Sequence, residues 1–204
     1  MKYKWLNKKN NNGKLIIFFN GWGMDENVVK HLEPEDYDVV MFYDYNSLET
    51  DFKPEKDYSE TNIIAWSMGV MIAGVKNFPF NGKFVTINGT LKPIDEKYGI
   101  HPKIYDLTIR NFNTETRDKF INNMFDKDFP ALKEEKRELE DLKTELIALK
   151  SYKANLDFKP NKIIISNNDK IIPTKNQCAF WKIEPNFKGG HCPFFSFSKW
   201  SELL

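Results

Sequence analysis

Three side chains in this sequence have the types and chain order suited to acyl transfer through a covalent serine intermediate: Ser67, Asp169 and His191. A serine hydroxyl is a weak nucleophile by itself. It needs a base within hydrogen-bond reach, a group that orients the base, and donors for the oxyanion that develops. Ser67 stands in "NIIAWSMGVMIAGV" (62–75), where a run of β-favouring apolar residues ends abruptly and a small, apolar, helix-compatible run begins. Ala65 two residues before it and Gly69 two residues after it leave room for a sharp strand-to-helix turn with the serine at its strained tip. The usual pattern is Gly-x-Ser-x-Gly, and here alanine holds the first small position. The same residues also allow a plainer reading, in which Ser67 caps an ordinary helix.

His191 is the candidate base, in "KGGHCPFF", because a Gly-Gly loop can carry an imidazole to the edge of a sheet. His31 lies in a charged stretch read as solvated, and His101, in "YGIHP", is read as a structural loop histidine that could also line a pocket. Asp169, in "SNNDKIIP", follows an apolar strand and would orient the imidazole, or else merely cap a turn. The oxyanion donors expected are the backbone N–H of Met68 and that of Trp22 in "NGWGMD". Alternatively, that segment is an ordinary glycine turn with Trp22 as a core aromatic.

These groups need a scaffold that brings several strand ends together. Leu15–Phe19, Val39–Tyr43, Asn62–Trp66, Lys83–Asn88 and Lys162–Ser166 are continuously apolar rather than alternating, which predicts strands buried on both faces of a mostly parallel sheet. Helices are expected after Met24, over Met68–Lys76 and Thr174–Trp181, and from Pro193 to the end. This order is that of an α/β fold with helices flanking the sheet. Residues 110–157 carry no strand signal and read as helix throughout, an insertion within one domain over 1–204. Leu132, Leu139, Leu142, Leu146 and Leu149 form a leucine stripe in its second half, read as packing on a neighbouring helix, with a coiled-coil dimer as the other possibility. "NKKNNNGK" reads as a polar loop.

Composition bounds the partners only loosely. The chain has 204 residues, 41% hydrophobic and 15% aromatic, enough for one buried core. Thirty Lys and Arg balance 29 Asp and Glu, so no global field calls for nucleic acid or a membrane surface, and a charged partner must use a local patch. No apolar region follows the N-terminal lysines and no long apolar run occurs, which predicts a cytoplasmic protein without a membrane span. Cys178 and Cys192 lack the spacing of a disulfide framework or a zinc site, and neither metal nor cofactor is expected.

In this order, "FFNGWGMD", "AWSMGVMIA", "INGTLKPIDEKYGIHP", "SNNDKIIP" and "GGHCPFF" make the sequence resemble the α/β-hydrolase superfamily, and within it the BioG-type pimeloyl-[acyl-carrier protein] methyl ester esterases. The resemblance covers most of the chain. The first, second and last segments are also similar to those of the analogous BioH esterases, with Asn20 in place of a histidine. It implies an α/β-hydrolase fold with a helical cap over the site, and hydrolysis of the methyl ester of a pimeloyl chain held on acyl carrier protein, in biotin synthesis. The residues alone say only serine hydrolase of an acyl ester. A general carboxylesterase or thioesterase, or a catalytically silent binding module of this fold, would share the pattern.

Trp22, Met24, Trp66 and Met68 would then form an apolar channel, closed by Phe120 and Met124 unless these are plain core. The carrier protein is expected to be acidic. Arg110, Arg117, Lys119, Lys133, Lys136 and Arg137 would supply the local patch that receives it, or are scattered solvated charges partly neutralised by Glu134, Glu135 and Glu138. The protein is expected to act as a monomer.

Overall fold

The computed structural model describes residues 1–9, 13–54, 57–125 and 137–204. Its centre is a six-stranded sheet of β1 (Lys2–Asn7), β2 (Lys14–Phe19), β3 (Tyr37–Tyr43), β4 (Glu60–Trp66), β5 (Phe84–Ile87) and β6 (Lys162–Ile164), in the spatial order β1-β3-β2-β4-β5-β6. Every pairing is parallel except β1 with β3. The helices are α1 (Met68–Lys76), α2 (Pro102–Arg110), α3 (Thr114–Asn123), α4 (Leu139–Leu149) and α5 (Thr174–Trp181). This is the mostly parallel, helix-flanked sheet of an α/β-hydrolase.

Burial explains the strands. Leu15–Phe19, Val39–Phe42 and Ile63–Trp66 are almost wholly excluded from solvent, their side chains dividing between a core on each face of the sheet. Strand order reverses direction between β2 and β4, so the carboxyl ends of these neighbours diverge into loops and open a crevice, the place where such sheets hold ligands. The register pairs Phe19 with Ala65, so the loop after β2 lies beside the turn after β4.

Several elements differ from the sequence expectation. β1 is an additional strand, antiparallel at the sheet edge, whose Tyr3 and Trp5 pack on Phe52 while Lys2 and Lys4 face outward. The expected C-terminal helix is two short 3-10 turns, Phe194–Ser196 and Trp200–Glu202. Phe194 and Trp200 each turn edge-on to Phe18, at 5.6 and 5.3 Å between ring centres, and both are buried against that strand. The helix expected after Met24 is a single 3-10 turn, Glu26–Val28.

Residues 110–157, expected to be helical throughout, are not: among the described residues they hold the end of α2, which starts earlier at Pro102, then α3 and α4, and the chain leaves helix after Leu149. Leu142, Leu146 and Leu149 of the leucine stripe are buried, whereas Leu132 lies outside the described residues. Hydrogen bonds tie α4 to the loops after β2 and β3 and to α2: Trp22 Nε1 donates to the Leu142 carbonyl (3.0 Å), the Tyr45 amide to the Glu145 carboxylate (2.8 Å), Asn46 Nδ2 to the Asp141 carboxylate (3.0 Å), and Tyr105 Oη to the Leu146 carbonyl (3.0 Å).

Candidate active site

Ser67 occupies the turn between β4 and α1 with φ +57° and ψ −126°, a backbone region that a side chain adopts only when its surroundings enforce it. The enforcement is close packing. A Cβ on Gly69 would lie 2.4 Å from the carbonyl oxygen of Phe19 and 2.5 Å from that of Asn20, so the first turn of α1 rests directly on the end of β2. A Cβ on Gly89 would come within 2.4 Å of the Ser67 carbonyl oxygen, so the chain leaving β5 closes the other side. Ser67 makes no helix-capping hydrogen bond with its side chain. Its Oγ lies 2.9 Å from His191 Nε2.

His191 Nδ1 is 2.7 Å from Asp169 Oδ2, and the ring is completely buried. The other carboxylate oxygen, Oδ1, accepts from the amides of Ile171 (2.8 Å) and Ile172 (3.0 Å), and Oδ2 also accepts from Gln177 Nε2 (2.8 Å). Two side chains fix the histidine loop by its carbonyl: Trp66 Nε1 and Asn88 Nδ2 donate to the oxygen of His191 at 2.9 and 2.8 Å. Asn88 also bonds Ser166 through both Nδ2 and Oδ1, so one side chain links the ends of β5 and β6 to the histidine loop. Burial pushes the thiol of the neighbouring Cys192 up to about 12, which keeps it protonated and unreactive beside the imidazole.

On the β2 side, Asn20 organises the loop. Its Oδ1 accepts from the Gly21 amide (2.9 Å), and its Nδ2 donates to the carbonyls of Met24 and Asp25 (3.0 Å each). The chain thereby curls so that Trp22 faces Ser67 across a cavity of about 390 Å³. Met68 opens α1, where backbone N–H groups have no partner within the helix, and it lines the same cavity. The wall is mainly apolar, from Ile104, Leu107, Phe120, Leu146 and Ile171, with Lys119 and Lys170 among its few charged residues. Trp22 sits edge-on to Phe112 and Phe120, at 5.4 and 5.0 Å. Such a site can present a nucleophile, a base and backbone donors to an acyl group with an extended apolar chain.

The structure thus brings Ser67, His191, Asp169, Trp22, Met68 and Phe120 together. It does not bring Met124 to the cavity. That side chain is buried in the core, and its carbonyl accepts from the Cys192 amide (3.0 Å), bracing the histidine loop. Arg110 is exposed at the end of α2. Arg117 is largely covered, at 19% exposure, and paired with Asp118 at 3.3 Å. Arg137 is turned inward, ion-paired with Asp44 (3.2 Å), Asp141 (2.8 Å) and Glu145 (2.6 Å), so it belongs to the anchoring of α4 and not to a docking patch. Lys133 and Lys136 lie outside the described residues. His101 caps α2, its Nδ1 accepting from the Lys103 amide, and His31 stacks on Phe195 with its Nε2–H directed to the Phe194 carbonyl.

Sequence reasoning passed over Asn88, Gln177 and the role of Asn20. The amides act through contacts distant in sequence, although Asn88 does close the "KFVTIN" strand where a loop must turn. Among the described residues, no group of three or more His, Cys, Asp or Glu could hold a metal ion, and no helix is long and apolar enough to cross a membrane.

The reversal of strand order, the strained serine after β4, and an acid and a histidine on the loops beyond β6 and α5 define an α/β-hydrolase. Solved structures agree: a putative aryl esterase from Burkholderia cenocepacia shares the fold at a TM-score of 0.63 and 14% identity, over 95% of this chain and 88% of that one. The chain belongs to the Pimeloyl-ACP methyl esterase BioG family, whose model matches residues 1–203. BioG from Haemophilus influenzae superposes with a TM-score of 0.86 at 30% identity, covering 100% of this chain and 99% of that one. A Malonyl-[acyl-carrier protein] O-methyltransferase from Bacteroides fragilis is 38% identical over 178 residues, 82% of this chain. The chain spans only 36% of the length of that relative.

Proposed function

We propose that the protein is a serine esterase that hydrolyses the methyl ester of a pimeloyl chain held on acyl carrier protein, ending chain elongation in biotin synthesis. The observation that carries this reading is the unbroken hydrogen-bonded line Asp169–His191–Ser67 at the base of a mainly apolar cavity, in a chain of the BioG family. Ser67 Oγ attacks the ester carbonyl while His191 Nε2 takes its proton. Asp169 holds the ring and stabilises the imidazolium, and the amides of Met68 and Trp22 receive the oxyanion. The imidazolium then protonates the departing methoxide, and methanol leaves behind an acyl-serine. A water molecule, deprotonated by His191, attacks that ester; the carboxylate is released and Ser67 regains its proton.

The relative named as a malonyl-[acyl-carrier protein] O-methyltransferase supports a carrier-bound methyl ester as substrate. O-methylation of a carrier-bound diacid makes the bond that a hydrolase of this kind would remove. The helices α2, α3 and α4 act in this reading as the cap, and the carrier protein docks at the cavity mouth, where the exposed Ile104 and Leu107 lie on the same helix as Lys103 and Arg110. The protein works in the cytoplasm as a monomer without a cofactor. Reaction with a fluorophosphonate tests the chemical part. The reading expects one adduct on Ser67, lost in His191→Gln; an unmodified Ser67 in folded protein would remove it from consideration as the nucleophile.

A further inference from the structure

Gln177 is the only glutamine in the chain, and it sits behind Asp169. It is fully buried in the first turn of α5, with its Nε2 donating to Asp169 Oδ2 (2.8 Å) and to the Ile172 carbonyl (2.7 Å). The amide orientation is forced, because turning it over would press Oε1 against a carboxylate and a carbonyl. Its own Oε1 is buried with no hydrogen-bond partner among the described residues. That is a burial cost that a methionine or leucine of similar size would not carry. A side chain serving only to fill space has no reason to be an amide here, and the value of this residue lies in its N–H groups.

What those N–H groups do follows from the count of donors around Asp169. Oδ1 has two backbone amides, and Oδ2 has Gln177 and His191. Gln177 occupies one lone-pair direction of Oδ2, leaves the other for the imidazole, and draws off part of the charge that faces Nδ1. We propose that Gln177 is a positioning residue for the reaction, acting through Asp169 to hold the His191 ring in line with Ser67 Oγ while the proton is on the ring. This rests on the serine-hydrolase reading above.

One glutamine means one side-chain amide signal in protein labelled with ¹⁵N-glutamine. The inference expects this pair of protons to be protected from exchange, with the proton facing Asp169 shifting when a phosphonate modifies Ser67 and an imidazolium forms. In parallel, Gln177→Met and Gln177→Glu should lose about ten- to hundredfold in kcat with KM within about twofold, the loss expected when a hydrogen bond to a charged group is removed. Wild-type turnover in either variant, or an amide signal unmoved while mass spectrometry shows Ser67 fully modified, overturns the inference. The amide signal decides the matter if neither variant folds. If Ser67 does not react with the phosphonate at all, the proposed function falls first, and this inference with it.

Discussion

The contact between α1 and β2 can be tested by adding a single methyl group. Gly69→Ala would place a Cβ 2.4 Å from the Phe19 carbonyl oxygen and 2.5 Å from that of Asn20, and 2.8 Å from the Phe19 carbonyl carbon. All three are backbone atoms at the end of a central strand, so the helix must move instead. An ordinary glycine-to-alanine change inside a helix gains about 1 kcal/mol. Here overpacking costs about 1–3 kcal/mol or more, and a net loss of about 2 kcal/mol lowers the melting temperature by roughly 4–8 °C for a chain of this size. The larger consequence is for chemistry. Pushing the first turn of α1 outward displaces the Met68 amide and Ser67 Oγ together, and a displacement near 1 Å costs about a hundredfold in rate. Gly74→Ala, in the same helix, is the control. Its Cβ meets the end of the Leu91 side chain (2.7 Å) and the Ala154 methyl (3.0 Å), groups that can shift, so stability should change by less than about 1 kcal/mol and activity should persist. Thermal melts and ester turnover on both variants settle the matter. Wild-type melting and turnover in Gly69→Ala would refute the claim that this contact sets the geometry of the turn.

Arg137→Met should cost about 3–5 kcal/mol, because it leaves the fully buried Glu145 without its cation. Burial already holds the Glu145 carboxyl above the usual carboxylate range, with Arg137 opposing, and losing Arg137 raises it further. A carboxyl raised on folding is protonated more readily folded than unfolded, so the deficit of the variant should be largest at neutral pH and shrink as pH falls toward the unfolded value of about 4.3. Urea melts at pH 7 and pH 5 showing the same deficit would contradict this. Asn20→Ala removes the three bonds that curl the loop carrying Trp22, and should lower kcat about a hundredfold with little change in KM. A proportionate rise in KM alone would instead assign Asn20 to substrate binding. Reversing both Lys103 and Arg110, exposed two turns apart on α2, should raise KM for a carrier-bound ester and flatten its salt dependence while sparing a short soluble ester. Equal effects on both esters would place the carrier protein elsewhere.

The sequence revealed most where a function depends on local backbone shape. The strand cores around Ile17, Val40, Ile64 and Val85 are apolar on both faces, and α1 and α5 begin and end as their residues suggest. The turn at Ser67 was legible because small residues two before and two after it mark a tight strand-to-helix turn, although the carbonyls that exclude a side chain at Gly69, those of Phe19 and Asn20, lie far away in sequence. β1 escaped notice because its alternation of Lys2 and Lys4 with Tyr3 and Trp5 belongs to a half-buried edge strand, unlike the continuously apolar strands. The C-terminal aromatics suggested a helix, yet Phe194 and Trp200 take their conformation from Phe18, far away in sequence. Charge was the poorest guide. In sequence Arg137 looked like the other charges around it, and only the fold sets it beside Asp44 and Glu145. Met124 was misplaced for a similar reason, since apolar character does not distinguish a cavity wall from the core that braces His191.

The central claim is that Ser67, driven by His191, opens a methyl ester on a carrier-bound pimeloyl chain. Its most direct test is to incubate the purified protein with methyl-pimeloyl-acyl carrier protein and follow the intact carrier by mass spectrometry, with Ser67→Ala alongside. The account expects conversion to the free acid with the thioester intact, and a loss of about a thousandfold or more in the variant, whose fold persists. Release of the acyl chain from the carrier instead would make the protein a thioesterase, and equal turnover by Ser67→Ala would contradict the mechanism outright.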